Sequence, residues 1–256
     1  MGCALEIRED AVEFAERMKR YPSPTPGVIF NYVGEHTKDL NEIYKTFIHY
    51  YALLRHMAEK DHERDLSIKL SQFGNYPYFV WRLVEEILHK KRVVWIDAEE
   101  YNHARGQLLA AKNLADRFYN KAYNFCPVGL TIQLKSDRYF EDATACFGRG
   151  IKVRLCKGAY PSKIKNDRLI VRALKVAEEY EVWLKAKVTK PNLLEIATIK
   201  DIDLVMIALE RKLPLQLLYG WHKKFIEYPY GVKIYTPFGN NWWPYVIRRI
   251  KEKVRK

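Results

Sequence analysis

The stretch VKIYTPFGNNWWPYVIRRIKE, residues Val232 to Glu252, decides the fold because it combines a short strand with a helix. Its opening residues are mostly β-branched or aromatic, and we predict a strand from Val232 to Tyr235. Pro237 and Gly239 predict the end of that strand. Pro244 suits the first turn of a helix, so the stretch predicts one βα unit.

Four side chains of the predicted helix are spaced so that they lie together. Tyr245 precedes Arg248 and Arg249 by three and four residues, and Glu252 follows the two arginines at the same spacings. A guanidinium fork holds both oxygens of a carboxylate, so this cluster indicates a site for a small carboxylate ligand. The alternative is a solvated basic C-terminus, because further cations lie around the cluster. These are Lys251, Lys253, Arg255 and Lys256.

Seven further apolar segments of strand length precede this unit, and each is followed by a segment compatible with a helix. We interpret Val182 to Ala186 as the tail of a helix that includes Ile164 to Tyr180. Eight βα units in about 250 residues predict an α/β fold, a single (β/α)8 barrel of the TIM type. The predicted strands are Gly27–Tyr32, Leu66–Leu70, Val93–Ile96, Gly129–Leu134, Ile151–Leu155, Leu193–Ala197, Pro214–Leu218 and Val232–Tyr235.

The domain organisation follows from the absence of any Pro-, Gly- or Ser-rich linker inside the barrel pattern. We predict one barrel domain over 27–256. The segment before it, 1–26, is predicted to be an amphipathic helix followed by a stiff connector, YPSPTPG, that leads into the first strand.

Composition excludes several classes of protein. The chain is 48% apolar and 29% charged, as in a soluble globular protein, and no apolar run reaches the roughly 18 residues that span a bilayer. The acidic N-terminal segment is not a signal peptide, and four widely spaced cysteines without a CxxC predict a reduced, cytoplasmic protein without a metal site. A net charge of +13 comes without a nucleic-acid motif, so we expect no nucleic-acid partner and only peripheral attraction to the inner face of an anionic membrane.

Polar residues recur where the predicted strands end, which is where barrel enzymes place their sites. Each has a structural alternative. Lys69 is compatible with snorkelling, Asp97 with a helix cap, and Arg154 with an interior ion pair, while Gln133 and Gln216 are compatible with satisfied core amides. The recurrence nevertheless favours a ligand pocket at this end of the barrel. The residues at or near the strand ends are Lys69, Asp97, Gln133, Arg154, Lys157, Gln216, Tyr219 and Tyr235.

These side chains are better suited to orienting a ligand than to attacking one. Arg154 and Lys157, with the backbone of the turn that follows, are suited to phosphates or a negatively polarised ring, and Gln133 to the edge of a flat heteroaromatic. Tyr160, Tyr235 and Tyr245 are suited to excluding water. No nucleophile triad and no GxGxxG is present, so we expect a cofactor to supply the chemistry.

Seven motifs in order resemble the flavin-dependent proline dehydrogenases, whose catalytic domain is a distorted (β/α)8 barrel. The resemblance covers Asn31 to Glu252, with Asn31 where the family more often has Asp. At the sixth strand the family's Ala-Thr-His-Asn is reduced to Ala197 and Thr198, followed by Ile and Lys. The motifs are NYVGE, SIKLS, IDAEE, VGLTIQ, RLCKGAY, LQLLYG, and IYTPFG with WPYVIRRIKE.

The resemblance implies roles for individual residues. Arg248 and Arg249 would bind the carboxylate of proline, and Glu252 would fix their geometry. The substrate site would be completed by Lys69, Asp97, Tyr160, Leu218, Tyr235 and Tyr245. The FAD-binding set would be Gln133, Arg154, Lys157, Gly158, Ala159, Ala197 and Thr198, to which we add Gln216 from its place at a strand end.

The implied reaction is FAD-dependent oxidation of L-proline to 1-pyrroline-5-carboxylate, with electrons passed to a quinone-type acceptor. Two alternatives remain open at this point. One is a related flavoprotein that acts on hydroxyproline or another cyclic amino acid. The other is a flavin-binding or ligand-binding barrel with weak or lost turnover, for example a partner subunit, and a homo-oligomer is compatible with either.

Overall fold

The computed structural model describes residues 27–34, 36–56, 64–74, 76–119, 125–160, 162–187, 191–198, 201–219 and 228–239. Within them, eight parallel strands form a closed barrel in which each strand pairs with its neighbours in sequence and the last pairs with the first. The predicted (β/α)8 architecture is confirmed. The strands are β1 (Gly27–Tyr32), β2 (Arg64–Ile68), β3 (Val94–Ile96), β4 (Val128–Gln133), β5 (Lys152–Cys156), β6 (Leu194–Thr198), β7 (Leu215–Leu218) and β8 (Val232–Phe238).

Six described helices follow the first six strands and surround the barrel. The fifth ends at Lys185, so the prediction that Val182 to Ala186 form the tail of a helix is confirmed. The predicted N-terminal helix and the predicted helix after Pro244 lie outside the described residues. The helices are α1 (Leu40–His56), α2 (Pro77–His89), α3 (Ala104–Phe118), α4 (Tyr139–Phe147), α5 (Asp167–Lys185) and α6 (Ile202–Glu210), with short 3-10 helices at Leu70–Gln72 and Tyr101–His103.

Most of the hydrophobic core lies between the strands and the helices, where alternate strand residues meet the apolar faces of the helices. A smaller apolar cluster inside the barrel consists of Ile29, Val93 and Trp95, with Phe125 and Tyr235 packed against it. The rest of the interior carries polar and charged side chains. Parallel strands buried on both faces are normally apolar on both, so this interior is unusual and directs attention to its charges.

Two strands have boundaries that differ from the prediction by more than one residue. β2 runs from Arg64 to Ile68, so Lys69 follows the strand instead of lying inside it. β8 does not end at Tyr235 but continues through Pro237 to Phe238. The carbonyl of Tyr235 faces β7, and Pro237 faces the same side at a point beyond the end of β7, so its missing N–H costs no ladder hydrogen bond.

The register pairs Gly129 on β4 with Trp95 on β3, and a methyl group at Gly129 would overlap the fully buried indole ring. We expect Gly129→Ala to lower the free energy of unfolding by about 1–3 kcal/mol, since the indole cannot move without disturbing the interior. Urea denaturation measures this. Gly106→Ala is the control because a methyl group on this exposed α3 residue meets no atom within 4 Å. A wild-type unfolding midpoint for Gly129→Ala would contradict the prediction.

Candidate active site

Arg154, on β5, extends its guanidinium across the interior of the barrel and is only 2% exposed. Its Nε donates to Thr131 Oγ1 at 2.9 Å, its Nη1 to Gln216 Oε1 at 2.8 Å, and its Nη2 to Ser67 Oγ at 3.0 Å. Strands β2, β4 and β7 therefore all hold one planar cation. A guanidinium has five N–H donors, so these contacts fix its plane as well as its position.

Asp97, directly after β3, connects Arg154 to Tyr235. Its Oδ1 accepts from Arg154 Nη2 at 3.2 Å and its Oδ2 from the hydroxyl of Tyr235 at 2.7 Å. The guanidinium carbon also lies 5.1 Å from the ring centroid of Trp95 and 5.4 Å from that of Tyr235, distances at which a cation is attracted to a ring face. The following 3-10 helix begins at Tyr101, so Asp97 is not its cap.

A second group of charges lies nearer the N-terminal ends of the strands. Lys233 Nζ is 3.0 Å from Asp65 Oδ2 and 3.1 Å from Glu195 Oε1. Lys152 Nζ is 3.3 Å from the same oxygen of Glu195, and the Nε2 of Gln216 donates to the other oxygen at 2.6 Å. Because Gln216 also contacts Arg154, the two groups form one continuous network.

Glu195 is ionised although it is 1% exposed. Burial raises the pKa of its carboxyl. The nearby cations Lys233 and Lys152, together with the hydrogen bond from Gln216, lower the pKa by more than burial raises it, and the resulting pKa is about 2. A buried charge of this kind is stable only when its partners are present. The network therefore depends on the match between carboxylates and cations.

The turn after β5 comes close to β4. Gly158 has a φ of 99°, and a methyl group there would lie 3.0 Å from Gln133 Oε1 and 3.2 Å from the hydroxyl of Tyr101. Gln133 donates through Nε2 to the carbonyl of Glu99 at 2.7 Å, and Tyr101 donates to the carbonyl of Tyr160 at 3.1 Å. Burial raises the pKa of Tyr101 to about 12, so it is a neutral donor. Glycine at 158 thus lets the backbone approach the strand ends.

Cations border the same side of the barrel. Burial, and secondarily Lys157, lowers the pKa of Lys135, which follows β4 closely. Lys157 Nζ lies 4.0 Å from Asp201 Oδ2, and its side chain is 42% exposed. Thr198, at the end of β6, accepts the backbone N–H of Asp201 at 2.9 Å. These lysines form a positively charged rim that suits an anionic ligand.

The structure brings most of the predicted residues to one end of the barrel. Lys69 follows β2 and donates its backbone N–H to Gln72 Oε1 at 2.9 Å. Leu218 is paired in register with Tyr235, and Ala197 with Gln216. Ala159 is exposed in the turn after Gly158. Four predicted residues lie outside the described part of the chain: Tyr245, Arg248, Arg249 and Glu252.

The prediction from sequence missed the partners that hold these residues in place. Thr131 and Ser67 bind Arg154, and Asp65, Glu195 and Lys233 form the lower part of the network. A signal for them is present. Asp65 and Ser67 are two residues apart in β2, the spacing of side chains on one face of a strand. Thr131 precedes Gln133, and Lys233 precedes Tyr235, by the same two residues. Glu195 is a charged residue between two apolar neighbours in β6.

Comparison with known proteins identifies the family. The family model described as "Proline dehydrogenase" matches residues 14–187, more than half of the chain. The chain belongs to the proline dehydrogenase family. Two proteins called proline dehydrogenase 1, from Bacillus subtilis subsp. natto and from Bacillus subtilis strain 168, are each 23% identical over 275 residues. Each alignment covers 99% of this chain and 87% of the relative.

Solved structures share the barrel. Proline utilization A (PutA) from Bdellovibrio bacteriovorus, inactivated by N-propargylglycine, superposes with a TM-score of 0.74 at 16% identity, and the protein from Corynebacterium freiburgense with 0.70 at 15%. Both matches cover 98% of this chain, which spans only 32% and 31% of those longer chains. At this identity the likeness concerns the fold. Among the residues described, no helix is both long and apolar enough to cross a membrane.

Proposed function

We propose that this proline dehydrogenase family member oxidises L-proline to 1-pyrroline-5-carboxylate with FAD as its cofactor. The observation that carries the proposal is the group in which Arg154 of β5 and Tyr235 of β8 both bond to Asp97, directly after the C-terminal end of β3. Family membership supplies the reaction class. The geometry supplies a fixed cation, a carboxylate and a phenol at the end of the barrel where such enzymes act.

The residues present fit FAD. The positive rim of Lys157 and Lys135 suits a pyrophosphate, and the turn at Gly158 lets backbone N–H groups approach it without a side chain in the way. Gln133 directs an amide towards the same turn and suits the edge of a flat ring. When bound, FAD supplies the acceptor for the hydride that leaves the carbon beside the ring nitrogen of proline.

The chain's own contribution is orientation and electrostatics. Asp97 and Tyr235 form a rigid wall because each is hydrogen-bonded to the other and Asp97 is also bonded to Arg154. Arg248 and Arg249 are proposed to bind the substrate carboxylate, with Glu252 holding them and with Lys69, Tyr160, Leu218 and Tyr245 enclosing the ring. Fixing a small substrate in one orientation contributes much of the rate enhancement in such a site.

The acceptor and the location complete the proposal. We infer that electrons pass to a quinone-type acceptor and that the protein works in the cytoplasm, peripherally at the inner face of the membrane. The support is the net charge of +13, which attracts an anionic lipid surface, where quinones are found. Addition of vesicles containing anionic lipid and a quinone is expected to accelerate turnover more than neutral vesicles with the same quinone.

The test uses the purified protein with its flavin. Anaerobic addition of L-proline is expected to bleach the flavin absorbance, and a dye acceptor is expected to restore it with formation of the pyrroline product. A flavin that proline leaves oxidised would overturn the proposal and favour a barrel without turnover. Faster bleaching by hydroxyproline or by a six-membered cyclic amino acid would replace proline as the substrate.

A further inference from the structure

Gln216 joins two groups of opposite charge inside the barrel. Its Oε1 accepts from Arg154 at 2.8 Å, and its Nε2 donates to Glu195 at 2.6 Å. A guanidinium can only donate hydrogen bonds and a carboxylate can only accept them. The amide of Gln216 therefore has one orientation that satisfies both neighbours, and the charges at its two ends impose it.

Glu195 has a divided set of partners. Its Oε1 faces Lys233 and Lys152, while its Oε2 accepts from the amide of Gln216. The register also pairs Glu195 directly with Arg154 on the neighbouring strand. One oxygen thus neutralises lysines, and the other is directed along the path that leads to Arg154.

We propose that Glu195 is a positioning residue, whose charge orients the Gln216 amide and thereby fixes Arg154 beneath the reacting groups. This inference rests on the proposed function, because the placement of Arg154 matters for turnover only if the reaction takes place at that end of the barrel. Glu195 itself reaches neither substrate nor cofactor in this account. Its effect passes through one amide.

The rival role for Glu195 is that of a counter-ion for Lys233 and Lys152. Two variants separate the roles. Glu195→Gln removes the charge and lets the side chain donate as well as accept, so the orientation of Gln216 is then imposed from the Arg154 end alone. The exchange variant Glu195→Gln with Gln216→Glu restores the interior charge and gives Arg154 a carboxylate acceptor, but it removes the carboxylate that faces the two lysines.

Two readouts are measured on the wild type, on both variants and on Glu178→Gln. The first is kcat and KM for proline. The second, which needs no flavin, is hydrogen exchange at the Arg154 Nε–H, followed by NMR with labelled arginine and assigned by its loss in Arg154→Lys. Glu178 is the control because its side chain is 62% exposed and pairs loosely with Arg211 at 3.6 Å.

We expect Glu195→Gln to lower kcat about tenfold with little change in KM and to accelerate exchange at Arg154 by a similar factor. In the exchange variant, kcat and the rate of hydrogen exchange at Arg154 are both expected to return most of the way to their wild-type values. Glu178→Gln is expected to match the wild type in both. A hydrogen-exchange rate at the Arg154 Nε–H that is the same in Glu195→Gln as in the wild type would overturn the proposal. So would a folded exchange variant that recovers nothing, because a counter-ion role predicts that result.

If the exchange variant does not fold, Gln216→Met replaces it. Positioning through the amide predicts that Glu195→Gln adds no further acceleration of Arg154 exchange once Gln216 is methionine. Additive effects would overturn the proposal. Absence of proline turnover in the wild type would remove the proposed function alone, because the exchange measurements test the link from Glu195 to Arg154 in the protein without flavin.

Discussion

Arg154→Met is expected to lower the free energy of unfolding by about 3–5 kcal/mol, which is the usual effect of removing one partner from a buried charge network. The side chain fills space, but Asp97 loses its ion pair and Gln216 Oε1 loses its donor in a water-poor interior. The hydroxyl of Thr131 loses its donor as well. We also expect kcat for proline to fall by about 100-fold or more, since a preorganised cation beside the reaction is lost.

Two further variants define what is lost. Arg154→Lys keeps the charge but presents it at one point instead of a planar fork, so stability and kcat should lie between those of the wild type and the methionine variant. Arg82→Met removes a surface arginine paired with Glu85 within α2, and such pairs contribute at most about 1 kcal/mol. Urea denaturation at neutral pH gives the comparison. A loss for Arg154→Met no larger than that for Arg82→Met would contradict a buried network.

Most of the barrel was predictable because its strands are short apolar runs between helical patterns. Seven of the eight predicted strand starts fall within one residue of those in the structure. The exception is β2, which begins two residues before the predicted start. The prediction missed those two residues because they are polar and resemble a loop. Asp65 is nevertheless a strand residue, since it points inward to Lys233 and to the indole N–H of Trp95.

The end of the barrel that carries the site was predictable for a topological reason. In a parallel barrel all strand ends point the same way, so polar residues after successive strands meet without any knowledge of their contacts. The pairs themselves were not predictable. Glu195 and Lys233 are brought together by closure of the barrel, and nothing local in β6 or β8 specifies that these two inward positions face each other.

One departure from the family pattern has a local physical account. By the motif resemblance, Asn31 occupies a position where an acidic residue is expected, and its Nδ2 donates to the carbonyl of Ser67 at 2.8 Å. An ionised carboxylate cannot donate a hydrogen bond, so an aspartate could not make this contact. The hydroxyl of Tyr50 donates to the same carbonyl at 2.7 Å, which ties α1 to the end of β2.

Lys233→Met is the second variant with a large expected effect. Lys233 is 6% exposed and lies between Asp65 and Glu195, so its removal leaves two buried carboxylates without their shared cation. Lys152 still faces Glu195, and the indole of Trp95 still donates to Asp65. We expect the free energy of unfolding at neutral pH to fall by about 3–5 kcal/mol.

The pH dependence of this loss distinguishes a charge effect from a packing effect. In the wild type the pKa of Glu195, about 2, is below its value of about 4.3 in the unfolded chain, so its contribution to stability is present above that value and declines as the pH falls towards 2. In Lys233→Met the lost cation raises the pKa of Glu195, so the variant is penalised most at neutral pH and less as the pH falls towards 2. Urea denaturation of both proteins across this range should therefore show a stability difference that shrinks on acidification.

The control is Lys45→Met, which removes an exposed ammonium paired with Glu42 on α1 and should show no such convergence with the wild type. A difference between Lys233→Met and the wild type that stays constant with pH would mean that the methylene chain of Lys233 matters for packing and its charge does not.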